Sequence, residues 1–449
     1  MPSPLRFKKK HAFAALALLF SAGCSGYHPL PLATRPDLLS SMDQVVECVP
    51  PGAVNLSDGL SMTEVAVIAA SLNPDLRAVR MKRNVARAEA FSAGLLPDPQ
   101  LNASIDHPTS SAPGFVNAFT AGATFDLRSL FTRPSETRAA AEKAKSVDKD
   151  ILWQEWQVIQ QARNLYATKY FTAERLRLLD KLAILDKEHE KHSQKALAAG
   201  DATLEQASAD LAALMDAQGQ LRAKQRDALQ TDRDLDALLG LAPGVSVPAL
   251  RLGNPDLPTD AAVQQALDTV ARRRPDLVAL QEAYDGQEAS LYAAVLKQFP
   301  SIMINFNGAR DTSNVHTAGL GVTVDLPIFN GSKGEIAVQS ATRAQLQAEY
   351  QARLDQAHAE ITTLWQQTRM IRSQMAELHA QLPQLEAMLE KAQKSYKAGD
   401  FPVLNYIALQ SGLLSKEMEY LDLRQSLWAN RIALDTLLAW PVVPETQTE

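Results

Sequence analysis

Residues 354–400 read LDQAHAEITTLWQQTRMIRSQMAELHAQLPQLEAMLEKAQKSYKAGD, and two interleaved seven-residue series run through them. Leu354, Ile361, Met375, Leu382, Leu389 and Tyr396 form one; Ala357, Leu364, Ile371, Leu378, Leu385 and Ala392 form the other. Apolar residues at this spacing hold one stripe of a helix against a partner helix along its whole length, which is the seam of a coiled coil. Thr368 interrupts the first series, and Pro383, which lacks a backbone donor, is expected to kink the rod. The run closes at Ala398-Gly399-Asp400. Glycine there accepts the left-handed conformation that ends a helix, and the aspartate is expected to cap the next one. A second apolar run (Leu409, Leu413, Tyr420, Leu423, Leu427, Leu434, Leu437) then leads back along the first.

The same hairpin of helices occurs once before. Phe125-Asp126-Leu127 matches Val324-Asp325-Leu326, Ala199-Gly200-Asp201 matches Ala398-Gly399-Asp400, and Leu235-Asp236-Ala237-Leu238-Leu239 matches Leu434-Asp435-Thr436-Leu437-Leu438, each pair 199 positions apart. A constant offset over that distance excludes any net insertion or deletion and marks a tandem repeat. Upstream, Asn73-Pro74-Asp75-Leu76 matches Arg274-Pro275-Asp276-Leu277, each opening a helical pattern of about 25 residues that ends near Leu96-Pro97 or Phe299-Pro300. The first helix of each unit is expected near Ser61 to Ala93 and near Thr259 to Gln298. In the first unit, Arg133 to Leu197 contains no glycine, and Pro134 is placed for a first helical turn. A helix of that length spans roughly 100 Å.

Between the short and the long helices the period changes from helical to two. Pro99 to His107 alternates Leu101, Ala103 and Ile105 against Asn102, Ser104 and Asp106, and Ser301 to Ala309 alternates Ile302, Ile304 and Phe306 against Asn305 and Asn307. Partner strands are expected at Ala118 to Phe125 and Thr317 to Leu326, with polar loops at 109–117 and 310–315. The fold class is thus mainly α with a small β part: two tandem helix-strand-strand-helix-helix repeats with four strands per chain.

The N-terminus is an address. Arg6, Lys8, Lys9 and Lys10 precede the apolar stretch Ala12 to Phe20, and Ser21-Ala22-Gly23-Cys24 follows, the order of a secretory signal. Cys24 after small residues resembles the acylated cysteine of bacterial lipoproteins. Only Cys48 then remains, which leaves no disulfide framework. The expected organisation is a signal peptide at 1–23, a lipid-anchored extended segment at 24–58, a first repeat at 59–242, a linker at 243–258, a second repeat at 259–440 and a tail at 441–449. With 45 Lys and Arg against 51 Asp and Glu and a net charge of −6, the chain has no surface for tracking phosphates; nucleic acid is not an expected partner. No apolar run reaches the ~20 residues of a spanning helix, whereas spanning strands need only 9–11 alternating residues.

Two hairpins with open edges cannot close a barrel in lipid alone, so the chain must assemble. Three copies in cyclic symmetry would supply a twelve-stranded β-barrel continued by an α-barrel of coiled helices. At this point the sequence resembles the TolC family of outer-membrane efflux channels. The resemblance is carried by Asn73-Pro74-Asp75-Leu76, Leu96-Pro97-Asp98-Pro99-Gln100-Leu101, Asp325-Leu326-Pro327-Ile328-Phe329-Asn330-Gly331 with Gly334-Glu335-Ile336, and Tyr396-Lys397-Ala398-Gly399-Asp400, from about Leu56 to Ala439. It implies a homotrimer in the outer membrane of a Gram-negative bacterium, helices in the periplasm, and a periplasmic adaptor and inner-membrane pump as partners. Such a chain is a passive exit duct for small molecules or metal ions. The Gly334-Glu335-Ile336 and Leu96 to Leu101 segments look more like the metal-cation branch than the multidrug branch. The alternative is a lipid-anchored periplasmic coiled-coil scaffold without a pore.

The resemblance also implies that the two helix-helix turns form the periplasmic tip and adaptor contact, at Gly200, Asp201, Gly399 and Asp400. Family members place acidic rings six and nine residues after the second turn glycine, where this chain has Asn405 and Ala408. No acidic gate carries over, and Asn405 and Tyr406 are the candidate pore constriction. His189 and His192 sit one helical turn apart, but without a third ligand they read as a solvated face. Trp153, Trp156 and Trp365 read as packing residues, and Asp126 and Asp325 as holding the strand-to-helix turns. No Ser-His-Asp order, phosphate loop or carboxylate pair suggests catalysis. No enzyme activity, metal site or cofactor is expected.

Overall fold

A computed structural model describes residues 27–57, 59–110, 114–248 and 252–440. The signal segment, Cys24 and the tail at 441–449 lie outside the described residues. The chain divides into two units, Met1–Leu38 and Leu39–Glu449. The described part of the first holds no helix or strand; the architecture that follows is that of the second.

Its elements are α1 (Met42–Cys48), α2 (Met62–Leu72), α3 (Pro74–Ala93), β1 (Gln100–Asp106), β2 (Ala118–Asp126), α4 (Arg128–Ala199), α5 (Leu204–Leu238), α6 (Asp260–Arg273), α7 (Pro275–Leu296), β3 (Ser301–Arg310), β4 (His316–Asp325), α8 (Lys333–Ala398) and α9 (Val403–Leu437). The molecule is mainly helical, with four strands as expected. Both returning helices have 35 residues, and their ends keep the 199-residue offset.

The second half of the first helix expected in each repeat opens at Pro74 or Pro275, as the motif there suggests, but it is a separate helix: the expected span is broken into two, α2 and α3, and α6 and α7. The cause is proline, which disfavours helical backbone in the residue before it. Asn73 takes φ −54° and ψ 123° and caps α3 by accepting from the Leu76 N–H at 2.9 Å, with Pro74 in the first turn. Arg274 occupies the same place before Pro275, at φ −73° and ψ 118°. The second correction concerns Pro134. Helix α4 starts at Arg128, which puts Pro134 inside the helix rather than in its first turn. The position matching Pro134 is Lys333, where α8 does begin. The first repeat therefore winds six extra residues into helix where the second keeps a loop at 327–332.

The heptad series forms the α8 seam. Ala357, Ile361, Leu378, Leu382 and Ala392 are buried and the remaining members are half-buried, except Tyr396. Helix α8 is continuous through Pro383. Helix α9 packs on α8 and on α4, and α4 also packs on α5, α7 and α3. One core gathers Val45, Leu60, Ile68, Tyr166, Leu235 and Trp428 from the short N-terminal helices and the long rods. Another gathers Val263, Val270, Ile361 and Leu434 around α6.

The stretch between the repeats is strapped to α9. The Arg424 guanidinium donates to the Leu252 carbonyl at 2.8 Å, Trp428 Nε1 to the Gly253 carbonyl at 2.9 Å, and Arg431 to the Asp256 carbonyl. These donors recur every three to four residues, so one helix face holds an extended chain.

Candidate functional site

The two hairpins are not separate. Strands β2 and β3 pair antiparallel, and the four strands form one sheet in the order β1-β2-β3-β4. Directly opposed residues share a face. The register thus sorts the whole sheet. One row runs Leu101, Ala123, Phe306 and Leu320, and the next in that direction runs from Phe125 through Ile304 to Val322. Both rows are apolar from edge to edge, and polar side chains enter this face only at its loop end, where Arg310 and His316 join Ile105 and Phe119; the face is uncovered, with Leu101 79% and Leu320 67% exposed. The opposite face carries Gln100, Thr124, Asn305 and Gly321 in one row and Asn102, Gly122, Asn307 and Gly319 in the next. Thr124 Oγ1 donates to Asn305 Oδ1 at 2.7 Å, and Asn305 Nδ2 donates to Thr323 Oγ1 at 2.8 Å. Two of the glycines make room for these side chains: a Cβ would stand 2.5 Å from Asn102 Oδ1 at Gly122 and 2.9 Å from Asn307 Oδ1 at Gly319. The mid-sheet polar face is hydrogen-bonding and uncharged, with aspartates only at its ends, at positions 106, 126 and 325. β1 and β4 each have one unpaired edge.

At the sheet-to-helix junction, Asp126 Oδ1 accepts from the Arg128 N–H at 2.8 Å and so sets the turn into α4, as expected. Asp325 instead accepts from the Ser301 hydroxyl at 2.8 Å, fixing the start of β3. His107 lies near Asn117 at 2.7 Å and His316 opens β4, both at the loop end of the sheet.

At the far end of the rods, Gly200 and Gly399 take φ +79° and +84° as the left-handed caps the sequence calls for. The aspartates act differently from expectation. The Asp201 N–H donates to the Ala196 carbonyl at 2.8 Å and the Asp400 N–H to the Ser395 carbonyl at 2.9 Å. They close the preceding helix with their backbone, in the six-to-one bond of this cap. The caps of the following helices are Thr203, whose side chain accepts from Gln206 N, and Pro402, which offers no side-chain acceptor. Tyr406 stacks on Tyr396 with ring centroids 5.1 Å apart and planes 9° from parallel. Its hydroxyl accepts from Gln410 Nε2 at 3.1 Å, while Asn405 beside it is exposed.

Three polar features were not legible in the periodicity. Asp186 is buried within the first repeat's rods, and burial pushes its carboxyl upward, partly offset by His189 and a hydrogen bond with Ser411. Its repeat equivalent is the seam residue Leu385, so aligning the two series would have exposed it. His189 Nε2 is 3.9 Å from Asp210 Oδ1. Among the described residues no cluster of three His, Cys, Asp or Glu could hold a metal. Buried ion pairs pin the rods elsewhere. Asp435 meets Arg163 and Arg431, each at 3.1 Å, and Asp276 meets Arg274 at 2.8 Å and Arg353 at 3.3 Å. Burial raises the Asp435 carboxyl, against the pull of its two arginines. Arg274 also lies over the Trp153 ring at 4.9 Å, and Trp365 Nε1 donates to Asp260 at 2.7 Å, so both tryptophans serve packing.

Residues 262–439 match the family model described as outer membrane efflux protein. The fold is similar to that of CusC, with 18% identity over 91% of this chain and 98% of that one and a TM-score of 0.69. It is equally similar to the outer-membrane channel OprN, at 17% identity, 91% and 98% coverage and a TM-score of 0.69. The outer membrane channel CmeC of Campylobacter jejuni gives 16% identity, 92% and 94% coverage and a TM-score of 0.69. No curated protein matches the sequence. The resemblance to TolC-family channels thus holds in sequence for the second repeat and in fold for the chain.

Proposed function

We propose that this chain, with the fold of the efflux channels as premise, is an outer-membrane exit duct that works as a homotrimer. One observation supports the reading: a single four-stranded sheet has one face apolar up to its loop-end row, where Arg310 and His316 stand, the other polar and uncharged across its middle, and both edges open. In a membrane no backbone group at an edge can stay unpaired, so β4 of one copy must meet β1 of the next until the sheet closes. Three copies give twelve strands with lipid outside and water inside. Strands β2, β3 and β4, of 9 to 10 residues, meet the length a tilted spanning strand needs, and β1, of 7 residues, is the short one.

The long rods continue the duct into the periplasm, and Cys24 anchors the chain to lipid. The turns at Gly200, Asp201, Gly399 and Asp400 form the tip that meets a periplasmic adaptor, behind which an inner-membrane pump supplies the work. Asn405 and Tyr406 narrow the lumen there. A barrel wall of asparagine, threonine and glycine favours neither sign of charge, so selection of small molecules or metal ions rests with the pump. There is no chemistry for the chain to perform, and it is not an enzyme.

Expression of the full chain, extraction in mild detergent and bilayer recording test this. A heat-modifiable trimer that conducts, with larger conductance in Tyr406→Ala, supports the duct. A protein that needs no detergent after Cys24→Ser and forms no conducting species is the scaffold instead.

A further inference from the structure

The six extra helical residues at the start of α4 help to line a cavity that the second repeat completes. Leu127 and Phe131 there, with Leu296 and Phe299 from the end of α7 and Ile302 and Val324 from the sheet, enclose a cavity of about 570 Å³. That volume is in the range that takes a sizeable ligand. Ile302 and Val324 are opposed in the β3–β4 ladder and continue the apolar face of the sheet at its helical end. The cavity is therefore an extension of that face. Around it Phe131, Phe299, Leu326, Ile328 and Phe329 are all exposed, Phe329 at 94%.

One charged group enters the apolar wall, Arg128. Its Nε is buried and has no hydrogen-bond partner. No carboxylate pairs with Arg128 among the described residues, and an anionic oxygen is the natural partner of a guanidinium on an apolar wall. An apolar slot with an arginine as its one charged lining residue matches an amphiphile with a hydrocarbon chain and an anionic head. If the apolar face of the sheet is the lipid face, as the proposed duct requires, the cavity lies where hydrocarbon gives way to headgroups at the periplasmic side.

The geometry points to a phospholipid site: one acyl chain of a lipid from the surrounding bilayer lies in the cavity and its phosphate pairs with Arg128. The lipid fills the space between the sheet and the α4 and α7 ends and ties the barrel to the rods. This rests on the reading of the chain as an outer-membrane duct.

The test uses the full chain reconstituted in vesicles of phosphatidylethanolamine and phosphatidylglycerol doped with a phospholipid whose acyl chain carries a photoactivatable group. Crosslinks are expected to concentrate within 127–132 and 296–302. Leu296→Trp, which fills the cavity, should abolish that concentration, and Arg128→Gln should lower it about tenfold, the worth of one charge-assisted contact. Crosslinks spread evenly over the apolar face, or unchanged in both variants, overturn the site. Crosslinks at the site that are missing in the wild type and appear only in Cys24→Ser also overturn it, by identifying the chain's own acyl group as the occupant. Bilayer conductance of the same preparations separates the two readings. Conducting trimers with an empty cavity refute the lipid site alone, and trimers that never conduct refute the duct.

Discussion

The two repeats agree in length and disagree in polar detail. Both long hairpins turn at a left-handed glycine and end at residues exactly one offset apart, yet equivalent positions carry different chemistry. Asp236 and Asp435 are equivalent and both buried. The first accepts from the Gly244 N–H at 2.9 Å and so shapes the exit from α5, while the second lies between two arginines. Tyr166 and Trp365 are equivalent, and each donates to the start of its own repeat's first helical segment, Tyr166 to the Leu60 carbonyl and Trp365 to Asp260. The difference teaches that length is set by what the copies must share, and side chains by the particular neighbour each one meets.

The strongest way to break this comparison is to remove the two aspartates in turn. Asp435→Ala leaves Arg163 and Arg431 without a carboxylate partner and should cost about 3–5 kcal/mol, against about 1–3 kcal/mol for Asp236→Ala, which orphans only a backbone N–H. Thermal unfolding followed by far-ultraviolet circular dichroism checks the order; equal losses would show that the arginines do not depend on Asp435. Core swaps come next. Ala162 and Ile361 are equivalent and fully buried, so Ile361→Ala should cost about 2–5 kcal/mol through a cavity and Ala162→Ile about 1–3 kcal/mol through overpacking. A stabilising Ala162→Ile would mean the first repeat has room its neighbour lacks.

Smaller effects sharpen the likeness instead. Gly200→Ala and Gly399→Ala should each cost about 1 kcal/mol, because both demand positive φ. A clear inequality would mean the two turns are not equivalent. The smallest effect concerns Asp186, whose carboxyl is raised above its ordinary value of 3.8 by burial. A raised carboxyl lets the folded state hold the proton more tightly, so its stabilising contribution is complete below the ordinary value and lost as pH rises through the folded one. Asp186→Leu, copying Leu385, should remove that slope and gain about 1 kcal/mol at neutral pH. Melting curves across acidic to neutral pH that keep their slope in the variant would assign it to another group.

Regular alternation and regular heptads made most of the fold legible. The strands fall within a residue or so of the expected bounds, because a sheet with one apolar face must alternate. Departures arose where a backbone group or a buried charge decides. The breaks before Pro74 and Pro275 interrupt a composition that reads as helix on both sides. The aspartates of the turns use their N–H groups, which every residue but proline possesses, so residue type did not reveal the role. Arg163, Asp435 and Asp186 look like ordinary surface charges on a rod until the third helix packs over them. The pairing of β2 with β3 brings together residues nearly 200 positions apart, and only the completed sheet shows that the two apolar faces are one.

The matched ends of α5 and α9 set a rule for how such a chain can change over generations. Substitutions along the rods are tolerated wherever the seam stays apolar, but a deletion of one heptad in one arm shifts its tip away from the other three. To survive, it must recur in all four long helices, or fall in pairs within a hairpin and then again in the second copy. Drift in spelling with rigidity in measure is what the comparisons display: 16–18% identity alongside coverage above 90% of either partner.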